Sequence, residues 1–264
     1  MPATPLDAPS AAVPDGRPRR VAILVPAYNV APWPAALRDR LREGFGTLAQ
    51  EFDASVWLVF VDDGSMSTGT TETAHAPGLA ELGVPVVRAR HCLNRGQGAA
   101  LQTALSLARS PAIDADVFVT MDADGQHDPA DLPALVEPVV NGGFNIAFGN
   151  RFAAATSEDT GLPTARRAIL RAAAMFEHAI SGIDLGDAHN GFRAFDRTTA
   201  RAIQLRQDRM AHATEFKQIV ARRGLRYAEV PVRITYTDET LRQGQRNLEV
   251  VNILRELTRG WWLH

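Results

Sequence analysis

The sequence predicts a single α/β domain, a mostly parallel sheet with helices on both faces. Three observations predict it. Short apolar runs rich in β-branched and aromatic residues recur through the first half, as buried parallel strands require. Helical patterns separate those runs. Polar motifs follow the runs directly, and ligands of such sheets bind outside the carboxyl ends of the strands.

The elements follow in order. Residues 21–25 (VAILV), 56–61 (VWLVFV) and 117–121 (VFVTM) are the clearest strands, with 85–89 and 145–149 as weaker ones. Helices are expected at about 34–50, 70–82, 96–109 and 130–141. In the second half, helices are expected at about 164–181, 196–206 and 213–224, a strand at 228–236, and a last helix at about 246–259. No Pro/Gly/Ser-rich linker divides the halves. Residues 1–20 read as a disordered leader, 21–245 as the domain, and 246–264 as a C-terminal amphipathic segment. At 264 residues, one large α/β domain accommodates all of this.

The net charge is only −2, but it is unevenly spread. Residues 1–150 carry 10 arginines against 17 acids, and residues 151–264 carry 17 arginines and Lys217 against 13 acids. Arginine grips phosphate bidentately, so an Arg-rich second half beside acidic motifs suits a phosphorylated ligand; high-GC codon usage produces the same bias. Cys92 is the sole cysteine, which excludes an intrachain disulfide and a thiolate cluster and fits a reducing cytoplasm. No apolar run approaches the roughly 20 residues that span a bilayer. The Pro- and Ala-rich N-terminus lacks the apolar segment of a secretory signal.

The most informative stretch is 117–129, VFVTMDADGQHDP. A strand running into Asp122 and Asp124 presents two carboxylates on one side, because strand side chains alternate faces. Such a pair repels unless a cation sits between, and hard divalent ions take oxygen ligands while leaving room for substrate phosphates. The competing reading is an acidic turn ahead of the helix that Asp128-Pro129 starts. Asp62-Asp63-Gly64-Ser65 ends another strand, either as a capped turn or as an acceptor for a base or ribose. Gly96 and Gly98 open a helix, where bare backbone approaches an anion, though neither a P-loop nor a dinucleotide fingerprint is complete.

Gly149-Asn150-Arg151 ends a further strand, placing Arg151 at the same edge; Arg166-Arg167 begin a later helix. The loop Asp187-Ala188-His189-Asn190-Gly191-Phe192-Arg193 gathers acid, imidazole, amide and guanidinium, a density typical of functional loops. His189 is a general-base candidate there, although most single histidines are structural. His212 and Glu215 at a helix start fit no zinc spacing.

In their order, VPAYN, VDDGS, NRGQGAAL, DADGQHDP, GNRF, DAHNGFRAF, the Glu215 helix and AEVPVRITY resemble the family 2 glycosyltransferases of the GT-A (Rossmann-like) fold, most of all the polyprenyl-phosphate sugar synthases, the dolichol-phosphate mannosyltransferase group. The resemblance covers about residues 21–246. It implies a UDP- or GDP-linked sugar donor, Mg²⁺ or Mn²⁺, a polyprenyl-phosphate acceptor, and inverting transfer on the cytoplasmic membrane face. On matching positions, Pro26, Tyr28, Asn29, Asp62 and Gly96 would hold the nucleotide, while Asp122, Asp124 and Gln126 would surround metal and diphosphate. Arg151, Arg166, Arg167, Asn190 and Arg246 would bind the acceptor phosphate, and Asp187, Arg151 and Arg193 would stand nearest the chemistry.

Two departures stand out. Gly244-Gln245-Arg246 replaces the usual Arg-Gly-Ser-Lys motif, and no membrane span follows the catalytic part. An apolar stripe of Val250, Val251, Ile253, Leu254 and Leu257 with Trp261 and Trp262 suits an interfacial helix or one packed on its own core, and a small integral-membrane partner would then recruit the protein. Alternatives are a hydroxyl acceptor, with Asp187 or His189 as base, and a low-activity nucleotide-sugar-binding subunit. An aspartyl phosphohydrolase is disfavoured because Lys217, the only lysine, lies in a helix matching the transferase pattern. Nothing points to nucleic acid.

Overall fold

A computed structural model of the protein describes residues 17–30, 32–66, 78–153, 182–187, 190–208 and 211–235. Seven strands form one sheet: β1 Arg19–Ala27, β2 Ala54–Asp62, β3 Val86–Arg90, β4 Val117–Thr120, β5 Ile146–Asn150, β6 Arg193–Asp196 and β7 Tyr227–Pro231. Their order across the sheet is β3-β2-β1-β4-β6-β5-β7. Neighbours run parallel except at β6, which is antiparallel to both β4 and β5.

Among the described residues five helices cover the sheet: α1 Ala35–Glu51, α2 Gln97–Ala108, α3 Leu132–Val140, α4 Arg197–Ala202 and α5 His212–Arg222. The two-residue alternation of the strands sorts the core into two layers. Val21, Ile23 and Val25 of β1 face the layer of α1 and α3, with Phe45, Leu48, Leu135 and Val139. Ala22 and Leu24 face the layer of α2 and α5, with Ala104, Leu105, Phe216 and Val220. The rings of Phe118 and Phe195 stack across β4 and β6 at 5.6 Å, and Phe216 meets Phe195 edge-on at the same separation. Helices on both faces and a mostly parallel sheet are thus as the apolar runs indicate.

Four expectations need correction. The folded region starts earlier than residue 21: β1 begins at Arg19, and Arg17 pairs with Asp116 at 2.8 Å. Of the helix expected at 70–82, residues 78–82 form only a 3-10 turn, Leu79–Leu82; its flanking Gly78 and Gly83 have φ of 93° and 73°, which an α-helix cannot pass through. The helix expected at 196–206 is α4, which stops at Ala202 because buried Ile203 turns extended. The loop expected through Arg193 instead leads into β6, whose charged first residue hides its strand character. The leader to residue 16, the helix at 164–181 with Arg166 and Arg167, His189, and the segment from 236 with Arg246 lie outside the described residues.

Candidate active site

The carboxyl ends of β1, β2, β4 and β5 bring most of the candidate residues to one edge of the sheet. β4 stops at Thr120, so Asp122 and Asp124 lie in the turn beyond it and not in the strand. Strand alternation therefore does not align them. The turn fixes Asp124 instead: its Oδ1 accepts from the Gln126 N–H at 3.0 Å, an Asx-turn, and Gly125 takes φ 76°. Asp128 then caps the 3-10 turn Pro129–Asp131 by accepting from the Ala130 N–H, and α3 continues from it, as the Asp-Pro start predicts.

Asp122 is fixed from several sides. Its Oδ1 accepts from Gln97 Nε2 at 2.9 Å, at the first turn of α2. Its backbone N–H donates to Nδ1 of His127 at 3.1 Å. Gly191 approaches so closely that a Cβ there would lie 2.7 Å from Oδ2 and 3.0 Å from Oδ1. Gly191 is itself held, because its carbonyl accepts from Thr120 Oγ1 at 2.6 Å. His127 is 4% exposed and lies flat on Phe192, centroids 4.7 Å apart.

The electrostatics follow from this crowding. Asp124 presents exposed surface, yet protein rings its carboxyl; loss of water raises its pKa above the ordinary value, and the Asp122 charge adds to the rise. Burial lowers the pKa of His127, outweighing the pull of the Asp122 and Asp124 charges.

On the other flank, Arg151 Nε donates to Asp187 Oδ2 at 2.6 Å, and the Arg151 backbone N–H to the same oxygen at 3.1 Å. Asn190 Nδ2 joins them at 3.2 Å. Arg151, Asp187 and Asn190 are therefore one cluster, as the motif order implies. Arg193 is not placed with them. Its side chain is 3% exposed over the rings of Phe216 and Phe148, 4.9 and 5.9 Å from their centroids, and its Nε donates to the Asn190 carbonyl. It braces the Asn190 loop from inside, because β6 turns its first side chain into the core.

At the β1–β2 side, Tyr28 is exposed, Asn29 has φ 49°, and Asn29 Oδ1 accepts from the Met66 N–H, so these residues frame one rim behind buried Pro26. Asp62 accepts from the Ser65 N–H at 2.9 Å and pairs with Arg90 at 3.4 Å. Gly96 has φ 102° and gives its N–H to Asp63 Oδ2 at 2.6 Å, so its donor is already used within the chain. Gly98 abuts the Gln207 carbonyl and the His212 side chain. These two glycines serve packing before any ligand.

Residues given no site role by sequence reasoning include Gln97 and His127, while Asp63 was left open with Asp62 between a cap and an acceptor for a base or ribose. Asp63 joins His91 at 2.6 Å and the Arg95 and Gly96 N–H groups, fixing the entrance of α2. The local signal for His127 was its place in DADGQHDP; Gln97 carried none that separates it from its neighbours.

An open α/β sheet with an acidic turn and an arginine-bearing loop at its carboxyl edge is suited to a phosphorylated ligand. Residues 22–203 match the family described as glycosyl transferase family 2. The chain belongs to that family and is a glycosyltransferase that depends on a nucleotide sugar. It is 31% identical to an uncharacterized protein of Methanocaldococcus jannaschii over 89% of each chain. It is 29% identical to the UDP-N-acetylglucosamine–dolichyl-phosphate N-acetylglucosaminyltransferase of Methanococcus voltae, over 60% of this chain and 63% of that one. Mannosyl-3-phosphoglycerate synthase from Rubrobacter xylanophilus shares the fold, with a TM-score of 0.52 at 19% identity over 94% of this chain and 76% of that one. The fold is GT-A.

Proposed function

We propose that the protein transfers a sugar, with inversion, from a UDP- or GDP-sugar to a polyprenyl phosphate at the cytoplasmic face of a membrane, with Mg²⁺ or Mn²⁺. One contrast carries this reading. Asp62, Asp187 and Asp131 each pair with an arginine, whereas among the described residues Asp122 and Asp124 meet none; the nearest cationic candidate, His127 Nε2, lies 3.8 Å from Asp122 Oδ2, and burial disfavours its charged form. Their unbalanced charge suits a cation.

The residues present fit one. The carboxylates of Asp122 and Asp124, with Gln126 next along the turn, would supply an incomplete oxygen shell, the kind Mg²⁺ completes with water and substrate phosphates. When bound, the ion would offset the negative charge that develops on the departing diphosphate. Pro26, Tyr28, Asn29 and Asp62 would hold the nucleoside along the β1–β2 rim. Arg151, steadied by Asp187, would orient the acceptor phosphate in line with C1 of the sugar. A phosphate oxygen then bonds to C1 as the bond from C1 to the diphosphate breaks, and the electron pair leaves on the nucleoside diphosphate.

The acceptor phosphate is ionised near neutral pH, so this step needs no strong base. Asp187 suits that chemistry better than base catalysis: 4% exposed, its Oδ2 already accepts from Arg151 and Asn190. The Methanococcus relative acts on dolichyl phosphate by name, which supports the lipid acceptor. Among the described residues no helix is long and apolar enough to cross a membrane, so the lipid would be met at the surface, through the C-terminal stripe or a membrane-bound partner.

The test is a donor panel with Mn²⁺, offered polyprenyl phosphate or oligosaccharide, with products read by mass spectrometry. A glycosyl phospholipid is expected. Product on oligosaccharide alone, or transfer surviving Asp122→Asn with Asp124→Asn, would overturn the proposal. Tight donor binding without turnover on either acceptor would recast the protein as a binding subunit.

A further inference from the structure

Residues 232–235 continue past β7 as a strap laid along the acidic turn. The Val232 N–H donates to the Asn150 carbonyl at 3.2 Å, where β5 ends. Ile234 forms an antiparallel bridge with His127, and the Thr235 N–H donates to the Gln126 carbonyl at 2.8 Å. Both polar groups of the Gln126 backbone are therefore tied, because its N–H donates to Asp124 Oδ1.

One side chain pins the strap to the turn. Asp131, 8% exposed, accepts three hydrogen bonds from Arg233: the backbone N–H to Oδ2 at 2.6 Å, and Nε at 3.1 Å and Nη2 at 2.7 Å to Oδ1. Arg233 Nε also lies 3.4 Å from Asp128 Oδ2, and Asp128 Oδ1 pairs with Arg40 of α1 at 3.1 Å. Asp128 caps the 3-10 turn that Asp131 ends, so the clasp grips the chain just beyond Gln126. The Arg233 side chain is 62% exposed, and ion pairs at such places add little to stability. What a planar fork does supply is a fixed direction of approach.

We infer that Arg233 is a positioning residue for the cation site, holding through Asp128 and Asp131 the turn on which Asp124 and Gln126 stand. The inference rests on the proposed function, which puts the cation at Asp122, Asp124 and Gln126. Removing Arg233 has two effects of opposite sign. Loss of its positive charge would, by field alone, tighten the binding of a cation. Loss of the clasp lets the turn shift, and a metal ligand that is no longer held in place binds more weakly. Positioning therefore predicts the direction that charge alone does not.

The experiment is calorimetry of the full chain with UDP and with GDP, each with and without Mn²⁺, beside a thermal melt. Arg233→Ala should melt within about 2–4 °C of the native protein, as loss of one exposed pair implies. Its Mn²⁺-dependent nucleotide binding should weaken roughly three- to tenfold, less than the 10- to 100-fold usual when a group bonded directly to a metal ligand is lost. Nucleotide binding without Mn²⁺ should not change. Arg233→Lys keeps the charge but has no fork, and should fall between the two; it decides the matter if the alanine variant proves unfolded. Arg42→Ala removes another exposed arginine, one paired with Asp39 on α1, and should bind Mn²⁺ and nucleotide as the native protein does. Native or tighter Mn²⁺-dependent binding in the folded Arg233 variant, or equal weakening in Arg42→Ala, would overturn the inference. Asp122→Asn with Asp124→Asn separates the two failures: if that variant keeps native Mn²⁺-dependent binding, or the native protein shows none, the proposed function itself is wrong.

Discussion

Gly191 offers a sharp test of the site, because its missing side chain makes room for a carboxylate. In Gly191→Ala the new methyl carbon would lie 2.7 Å from Asp122 Oδ2, 3.0 Å from Oδ1 and 3.1 Å from Cγ. Ordinary carbon–oxygen contact begins near 3.4 Å. One partner must therefore move by about half an ångström or more. Neither moves freely: Thr120 holds the Gly191 carbonyl, and Gln97 and His127 hold Asp122. Overpacking of this kind costs about 1–3 kcal/mol of stability, and in a domain of this size 1 kcal/mol lowers the melting temperature by roughly 2–4 °C. The kinetic effect should be larger in proportion. Ångström-scale displacement of a positioning group costs on the order of 10²-fold in rate, so kcat should fall about 10- to 100-fold, with a raised Mn²⁺ requirement. Steady-state kinetics across a Mn²⁺ series, beside a thermal melt, reads both quantities. Gly46→Ala is the control: nothing lies within 4 Å of its Cβ position, and in mid-helix alanine should be neutral or stabilising by up to about 1 kcal/mol. Native kcat and native metal requirement in Gly191→Ala would refute the placement of Asp122 at the reacting centre.

The remaining expectations are more compact. Asp124→Asn should cut transfer by about 10²-fold or more, as loss of a charge-stabilising group does, yet melt no lower than the native protein because it removes repulsion with Asp122; a clearly lower melting temperature would contradict the unbalanced pair. Because the Asp124 carboxyl is raised in the metal-free protein, a proton competes with Mn²⁺ above the ordinary carboxylate range; nucleotide–Mn²⁺ affinity should weaken as pH falls towards 5, with proton release seen as a buffer-dependent calorimetric enthalpy. His127 has a lowered pKa when folded, so its contribution to stability is present above the unfolded value of about 6.5 and is lost as pH falls from there through the folded value; urea melts at pH 7.5 and 5.5 should show the drop, and a His127→Phe variant should show less of it. Arg151→Lys keeps the charge but not the guanidinium geometry toward Asp187 and should raise the acceptor KM by about tenfold, as loss of one charge-assisted hydrogen bond would; an unchanged KM would remove Arg151 from acceptor binding.

Much of the sheet was legible because its central strands are buried on both faces and so read as continuous apolar runs; Val21–Val25 and Val56–Val61 are examples. β6 was not, for the same reason in reverse. It is four residues long, buried throughout, and begins and ends with charged residues whose partners come from elsewhere: aromatic rings for Arg193, and the Thr199 N–H and Asn145 Nδ2 for Asp196. A fully buried strand is legible only as an unbroken apolar run, and Arg193 and Asp196 interrupt this one at both ends. The 3-10 turn at Leu79–Leu82 failed differently, since left-handed glycines at each end are a backbone property that apolar spacing does not register.

The site was legible as a set of positions and not as a set of partners. Asp62 and Asp63 show the difference. In sequence they are interchangeable acids before Gly-Ser, but in the folded chain they point to different tasks. Asp63, 2% exposed, gathers His91, Arg95 and Gly96 and thereby sets where α2 begins. That placement carries Gln97 to Asp122 at 2.9 Å. Asp63 is thus a scaffold acting on another acid some sixty residues later, through a helix start. Residue type and spacing select which atoms reach the carboxyl edge of a parallel sheet. Which carboxylates remain without a cation there depends on arginines supplied by distant strands, so it becomes visible only once the strands are in place.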